Sequence, residues 1–160
     1  MPLKKIQKNG DLMGAARVLV GMLFCLAASI LIVFFVTLGY AVGNFSDLGD
    51  IIMFQAIFAL LLSPLTAINM GLWSVIAALA VGGLLGGLVS KSPTAGLVMG
   101  LLSFLVIFIL FLGITVGFDI DAWITWVTSW DSYIVVDVVL SLGLLAGIGA
   151  IGGKLTAESD

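Results

Sequence analysis

Asp137 is the one carboxylate well inside a long apolar run of this chain, so it is the first residue that could do chemistry. A charged side chain in hydrocarbon is costly, and an intramembrane acid is by default a candidate for an ion or proton path. No Lys or Arg stands near Asp137 in the sequence, and histidine is absent. If its helix starts near Tyr133, Asp137 sits about one turn below the membrane interface, where water reaches it. Two roles follow. It is a hydrated acid facing a helix bundle, or it is a cation or proton site. A hydrated cavity beside it favours transport, and interhelical hydrogen bonds to it favour packing.

The other polar residues are few. Asp47, Asp50, Asp119 and Asp121 form an acidic outer vestibule, or they cap short helices and keep loops in water. Asp131 or Ser132 caps the helix that carries Asp137. Gln55 and Asn69 are isolated amides suited to hydrogen bonds between helices. Cys25 lies alone in an apolar run and reads as a small apolar filler. One cysteine and no histidine leave no disulfide, haem, iron–sulfur or ordinary zinc site. With no nucleophile beside a base, no catalytic residue, metal or cofactor is expected.

Glycine is the strongest local pattern. Gly82/Gly86 and Gly83/Gly87 are overlapping G-x-x-x-G pairs, followed by Gly96/Gly100, Gly143/Gly147 and Gly149/Gly153. Residues four apart share a helix face, and a face without side chains lets two backbones approach closely. These ten glycines are therefore predicted to be helix-packing positions. Gly39/Gly43 and Gly113/Gly117 would act likewise at the opposite helix ends.

The chain is 62% hydrophobic and only 9% charged, against about 25% charged for a soluble domain. Lipid is the solvent that makes this balance reasonable. A net charge of −3 gives no basis for nucleic-acid binding. Helices long enough to cross about 30 Å of hydrocarbon are predicted over 18–42, 68–89, 95–116 and 133–153. The first run is too long for a signal peptide's apolar region and reads as a retained helix. Residues 50–62 form a run too short to cross, closed by Ser63-Pro64, and are predicted to be re-entrant or interfacial. A shorter amphipathic helix is expected over 121–130, with Trp123, Trp126, Trp130 and Tyr133 as an aromatic belt.

Lys4, Lys5, Lys8 and Arg17 precede the first run, Lys91 lies between the second and third, and Lys154 follows the fourth. Positive charge favours the cytoplasmic side. Both termini and the Lys91 turn are therefore predicted to be cytoplasmic, in the cell membrane.

The halves resemble each other. A slide of 74 residues aligns nine identities over the 31 positions from Arg17 to Asp47, including Ser29/Ser103, Gly39/Gly113 and Asp47/Asp121, and it sets Arg17 on Lys91. A slide of 63 pairs Gly86 with Gly149 and Lys91 with Lys154. Each half reads as crossing, short outer helix, crossing back. Two halves of the same orientation are parallel repeats. The expected organisation is an N-terminal segment 1–16, a first repeat 17–91, a second repeat 92–154 and a tail 155–160. A potassium-channel pore unit has the same succession, but SPLTAIN and DSYIV follow the short helices here, in place of a TVGYG-like filter.

The run GGLLGGLVSKSPTAGLVMG, Gly82 to Gly100, resembles small four-helix, glycine-zipper integral membrane proteins of archaea and some bacteria. The likeness covers mainly the second and third helices, about a third of the chain. It implies a prokaryotic origin and four crossings, and it carries no functional residue. The expectation is an all-α polytopic membrane protein with four transmembrane helices in two parallel repeats. Its expected function is non-enzymatic, as an accessory or packing subunit of a homo-oligomer or larger membrane complex, in contact with lipid. The alternative is a small channel or transporter for a cation or proton using Asp137.

Overall fold

The computed structural model describes residues 3–40 and 50–157, with side chains of the first segment from Gly14 onward. Gly43, Asp47 and the side chains of Lys4, Lys5 and Lys8 lie outside that description. Among the described residues all regular structure is helical. Helix α1 spans Leu3–Ile32 and continues as a π-helical turn, Val33–Thr37. Then come α2 (Ile51–Leu62), α3 (Pro64–Asn69), α4 (Ser74–Ser90), α5 (Pro93–Val116), α6 (Ile120–Thr128) and α7 (Ser132–Leu155).

Polar residues at the boundaries explain the element limits. The side chains of Asp50, Ser92, Asp119 and Asp131 accept from the backbone N–H groups of Ile52, Ala95, Asp121 and Ile134, respectively. Each satisfies a donor that a helix start leaves without an intrahelical partner. Pro93 and Pro64 open α5 and α3, where a missing N–H costs nothing. Gly117 closes α5 with φ +84°.

Three helical segments of 24 residues are long and apolar enough to cross a membrane: Gly14–Thr37, Pro93–Val116 and Ser132–Leu155. Each is about 36 Å long at 1.5 Å per residue. The segment predicted as a crossing over 68–89 differs. It is cut by a turn in which Gly71 takes φ +81°, so α4 begins only at Ser74 and runs 17 residues. The helical start at Leu3 also precedes the predicted 18, because hydropathy marks where a helix meets lipid and not where its hydrogen bonds begin.

α4 packs against α1 and α7, and α5 packs against α7. Phe34, Ile57, Leu61, Leu79, Met99 and Leu145 are fully buried between them. Large apolar side chains also face outward along the spans. Leu23 is 62% exposed and Val139 60%. Water would penalise such a surface and hydrocarbon does not.

The 50–62 run folds as half of a helical hairpin. Gln55 Nε2 donates to Thr115 Oγ1 at 3.3 Å, so α2 starts beside the end of α5, at the end of the bundle that carries α6. It then descends until the Leu61 carbonyl accepts from Ser141 Oγ at 2.6 Å. Ser63-Pro64 breaks the helix there, and Ser63 Oγ donates back to the Ala59 carbonyl at 2.5 Å. α3 returns toward the α6 end, where Asn69 Nδ2 donates to the Tyr133 hydroxyl. Ser141 lies nine residues into α7, so the hairpin tip reaches about 13 Å into the bundle.

Candidate functional site

Proline explains why the hairpin tip needs an acid. Ser63-Pro64 breaks the helix and starts α3, and a helix start leaves the N–H groups of Leu65 and Thr66 with no intrahelical partner. Asp137, five residues below the start of α7, meets them. Its Oδ1 accepts from Leu65 N at 2.5 Å and from Thr66 N at 3.3 Å. Its Oδ2 accepts from Thr66 Oγ1 at 2.6 Å and from Thr66 N at 3.3 Å. Three donor groups converging on both oxygens are what an ionised carboxylate takes, since it only accepts. The α7 side chain thus caps a helix from another part of the chain.

The residue is 2% exposed, which corrects the expectation of a hydrated acid one turn below the surface. Sequence distance hid the cause. The partners are backbone groups about 70 positions away, freed by a helix break. No described cation is close along α7. Lys154 follows Asp137 by 17 residues, about 26 Å of helix.

Beside the carboxylate lies a pocket of about 170 Å³. The hairpin supplies Ala59, Leu62, Ser63 and Thr66 to its wall, and α7 supplies Ile134, Asp137 and Val138. Four aromatic rings close it: Phe108 and Phe111 from α5, and Trp126 and Trp130. They form a chain of contacts. Ring centroids are 5.6 Å apart for Phe111–Trp126, 5.1 Å for Trp126–Trp130 and 5.9 Å for Trp130–Phe108. The indole Nε1 of Trp130 is buried without a hydrogen-bond partner among the described residues. Sequence reading placed Trp126 and Trp130 in an interfacial belt; the structure turns both rings onto this pocket.

The predicted packing glycines separate into two sets. Eight sit where a neighbouring element comes close. A Cβ on Gly87 or Gly96 would collide with the Gly149 carbonyl, and one on Gly100 with the Leu145 carbonyl. On Gly82 it would lie 2.8 Å from the Cys25 carbonyl, on Gly86 2.6 Å from that of Gly21, on Gly83 3.2 Å from that of Leu145, and on Gly149 2.5 Å from that of Gly96. On Gly153 it would meet the Ser92 carbonyl. Among the described residues Gly143 and Gly147 pack against nothing within the chain. They meet nothing within 4 Å and are exposed, because the buried stripe of α7 runs through Ser141, Leu145, Gly149 and Gly152. Two close-packed glycines have no glycine four positions away and so escape a G-x-x-x-G search. They are Gly21, against the Gly86 carbonyl, and Gly152, against the Leu84 carbonyl.

Asp50, Asp119 and Asp131 act as helix caps, and Gln55 and Asn69 tie the hairpin to α5 and α7. Among the described residues no group of three or more His, Cys, Asp or Glu side chains is placed to hold a metal ion. No family model, curated protein or solved structure matches the chain.

Proposed function

We propose that the chain is a non-enzymatic, multi-pass protein of the cell membrane, working as a small channel or transporter for a cation at the Asp137 pocket. One observation carries this reading: a helical hairpin starts and finishes at one end of the bundle, and its tip rests on a buried carboxylate beside an aromatic pocket. Broken helices at membrane depth persist where they are buried in protein or line a cavity, and transporter sites are commonly built on them. The hydrogen bonds on Asp137 account for the hairpin's placement. By themselves those bonds favour packing; the aromatic pocket beside the carboxylate is what supports transport.

In this reading α4, about 26 Å long, is the fourth crossing. The termini and Lys91 are cytoplasmic, and the α6 end is outside. The contacts support two parallel repeats. Gly21 meets Gly86 where α1 crosses α4, and Gly96 meets Gly149 where α5 crosses α7. The slides of 74 and 63 residues carry Gly21 to Ala95, next to Gly96, and Gly86 to Gly149. The test is cation flux into liposomes holding the purified chain, compared with Asp137→Asn. An Asp137-dependent flux is expected. Equal flux in the two proteins, or none in either, sinks the reading.

A second reading has its own observation. Gly143 and Gly147 form a G-x-x-x-G face that nothing within the chain covers. That face suits helix association with a second copy, as in an accessory or packing subunit of a homo-oligomer or larger complex. Native mass spectrometry after mild extraction distinguishes it. A monomer without partners removes this second reading.

A further inference from the structure

The Asp137 pocket also carries information about which cation it suits, an inference that rests on its being a solute site. A metal ion of the calcium or magnesium type demands about six or more oxygen ligands. The pocket offers few. Both Asp137 oxygens are already engaged by the α3 backbone and Thr66, and Ser63 Oγ is turned to the Ala59 carbonyl. What the pocket offers in quantity is aromatic surface, from Phe108, Phe111, Trp126 and Trp130. Ring faces attract cations through their quadrupole, and cages of such rings are the recurrent solution for organic ammonium groups. Apolar aromatic walls also strengthen the field of a carboxylate, because their dielectric is low.

The electrostatics lean the same way. Asp137 is held by neutral donors, so its charge has hydrogen bonds but no counter-ion beside it along α7. A buried charge of this kind is costly until an opposite charge arrives. Size sets the limit. At about 170 Å³ the pocket is close to cavities that admit benzene, so it takes a compact headgroup and not a bulky dye.

The geometry points to a binding site for a small organic ammonium group. The cationic nitrogen sits among the four rings and faces Asp137. The same chemistry is present in a free solute and in a choline-type lipid headgroup.

The full chain is reconstituted in phosphatidylglycerol vesicles and titrated with choline and with its uncharged isostere 3,3-dimethylbutan-1-ol, reading tryptophan fluorescence and heat. Saturable choline binding is expected, with the isostere weaker by about tenfold or more, the scale of a desolvated cation–π contact. Asp137→Asn and Trp126→Leu should each weaken choline by a similar factor. The second variant keeps the cap on α3 intact, so the test survives if the first fails to fold. Equal binding of choline and its isostere overturns the inference, as does choline binding that ignores Trp126→Leu. Sodium or potassium flux that depends on Asp137, with no choline binding, overturns the ligand class and leaves the transport reading standing. Choline binding without any flux does the reverse. Repeating the titration in phosphatidylcholine vesicles identifies the source. Loss of the choline signal assigns the site to a lipid headgroup, an unchanged signal assigns it to a free solute, and both support the site.

Discussion

At the scale of single residues, the hairpin tip depends on one acid and one hydroxyl. Among the described residues Thr66 Oγ1 is the side-chain donor to Asp137; its other partners are backbone N–H groups. Thr66→Val removes that donor at constant shape and should destabilise the chain by about 1–3 kcal/mol, the cost of a buried polar group short of a partner. Unfolding in detergent micelles measures it. Asp137→Leu should cost more than Asp137→Asn, because asparagine keeps one oxygen to accept from Leu65 or Thr66. If the two variants unfold together, the cap is not what holds α3. That Asp137 mattered was readable from the sequence, since a carboxylate in an apolar run stands out. Its partners were not, because a backbone N–H has no letter of its own. Only Ser63-Pro64 hinted that donors were set free nearby.

At the scale of elements, glycine spacing gave the right faces and not their directions. A G-x-x-x-G pair says that a face is smooth. It does not say whether that face turns toward a helix of the same chain or away from it. Gly100 and Gly147 look alike in sequence, yet one abuts Leu145 and the other meets nothing. Gly100→Leu should therefore overpack the α5–α7 contact and cost about 1–3 kcal/mol or more. Gly147→Leu should change the stability of the chain by less than about 0.5 kcal/mol, as a surface change does. If the outward face is used between copies, Gly147→Leu instead lowers the oligomer fraction seen by native mass spectrometry. Helix ends were legible where a capping side chain stood at the boundary, as with Asp50, Asp119 and Asp131. The start of α4 was not, because the turn before it depends on the backbone of Gly71, which hydropathy cannot register.

At the scale of the whole molecule, Arg17, Lys91 and Lys154 gather at the end opposite α6. The proposed orientation rests on them. With Cys25 replaced by alanine, a cysteine at position 91 should react with a membrane-impermeant maleimide only from the cytoplasmic side. Labelling from outside would invert the proposed topology. In the unaltered chain Cys25 is fully buried, so its thiol should stay silent toward a permeant reagent until the bundle unfolds. The all-helical class was legible from composition and run length. The hairpin of α2 and α3 was legible only as a short apolar run closed by Ser63-Pro64, because its depth in the bundle is set by Ser141 and Asp137, more than 70 residues away in the chain.

Gly149 has one further consequence. Its carbonyl is the point on which both Gly87 of α4 and Gly96 of α5 close, so three helices touch there with no side chain between them. If the helices tilt against one another, this joint would be the fulcrum. Asp137 lies 12 residues along α7 from it, a lever arm of about 18 Å. A tilt of about 10° at Gly149 would carry Asp137 roughly 3 Å, by the same rise per residue. On that expectation the glycine end of the bundle is the still end. Spin-label pairs there should give narrow distance distributions, and a pair on Ile134 and Ala59 across the pocket should give a broad one.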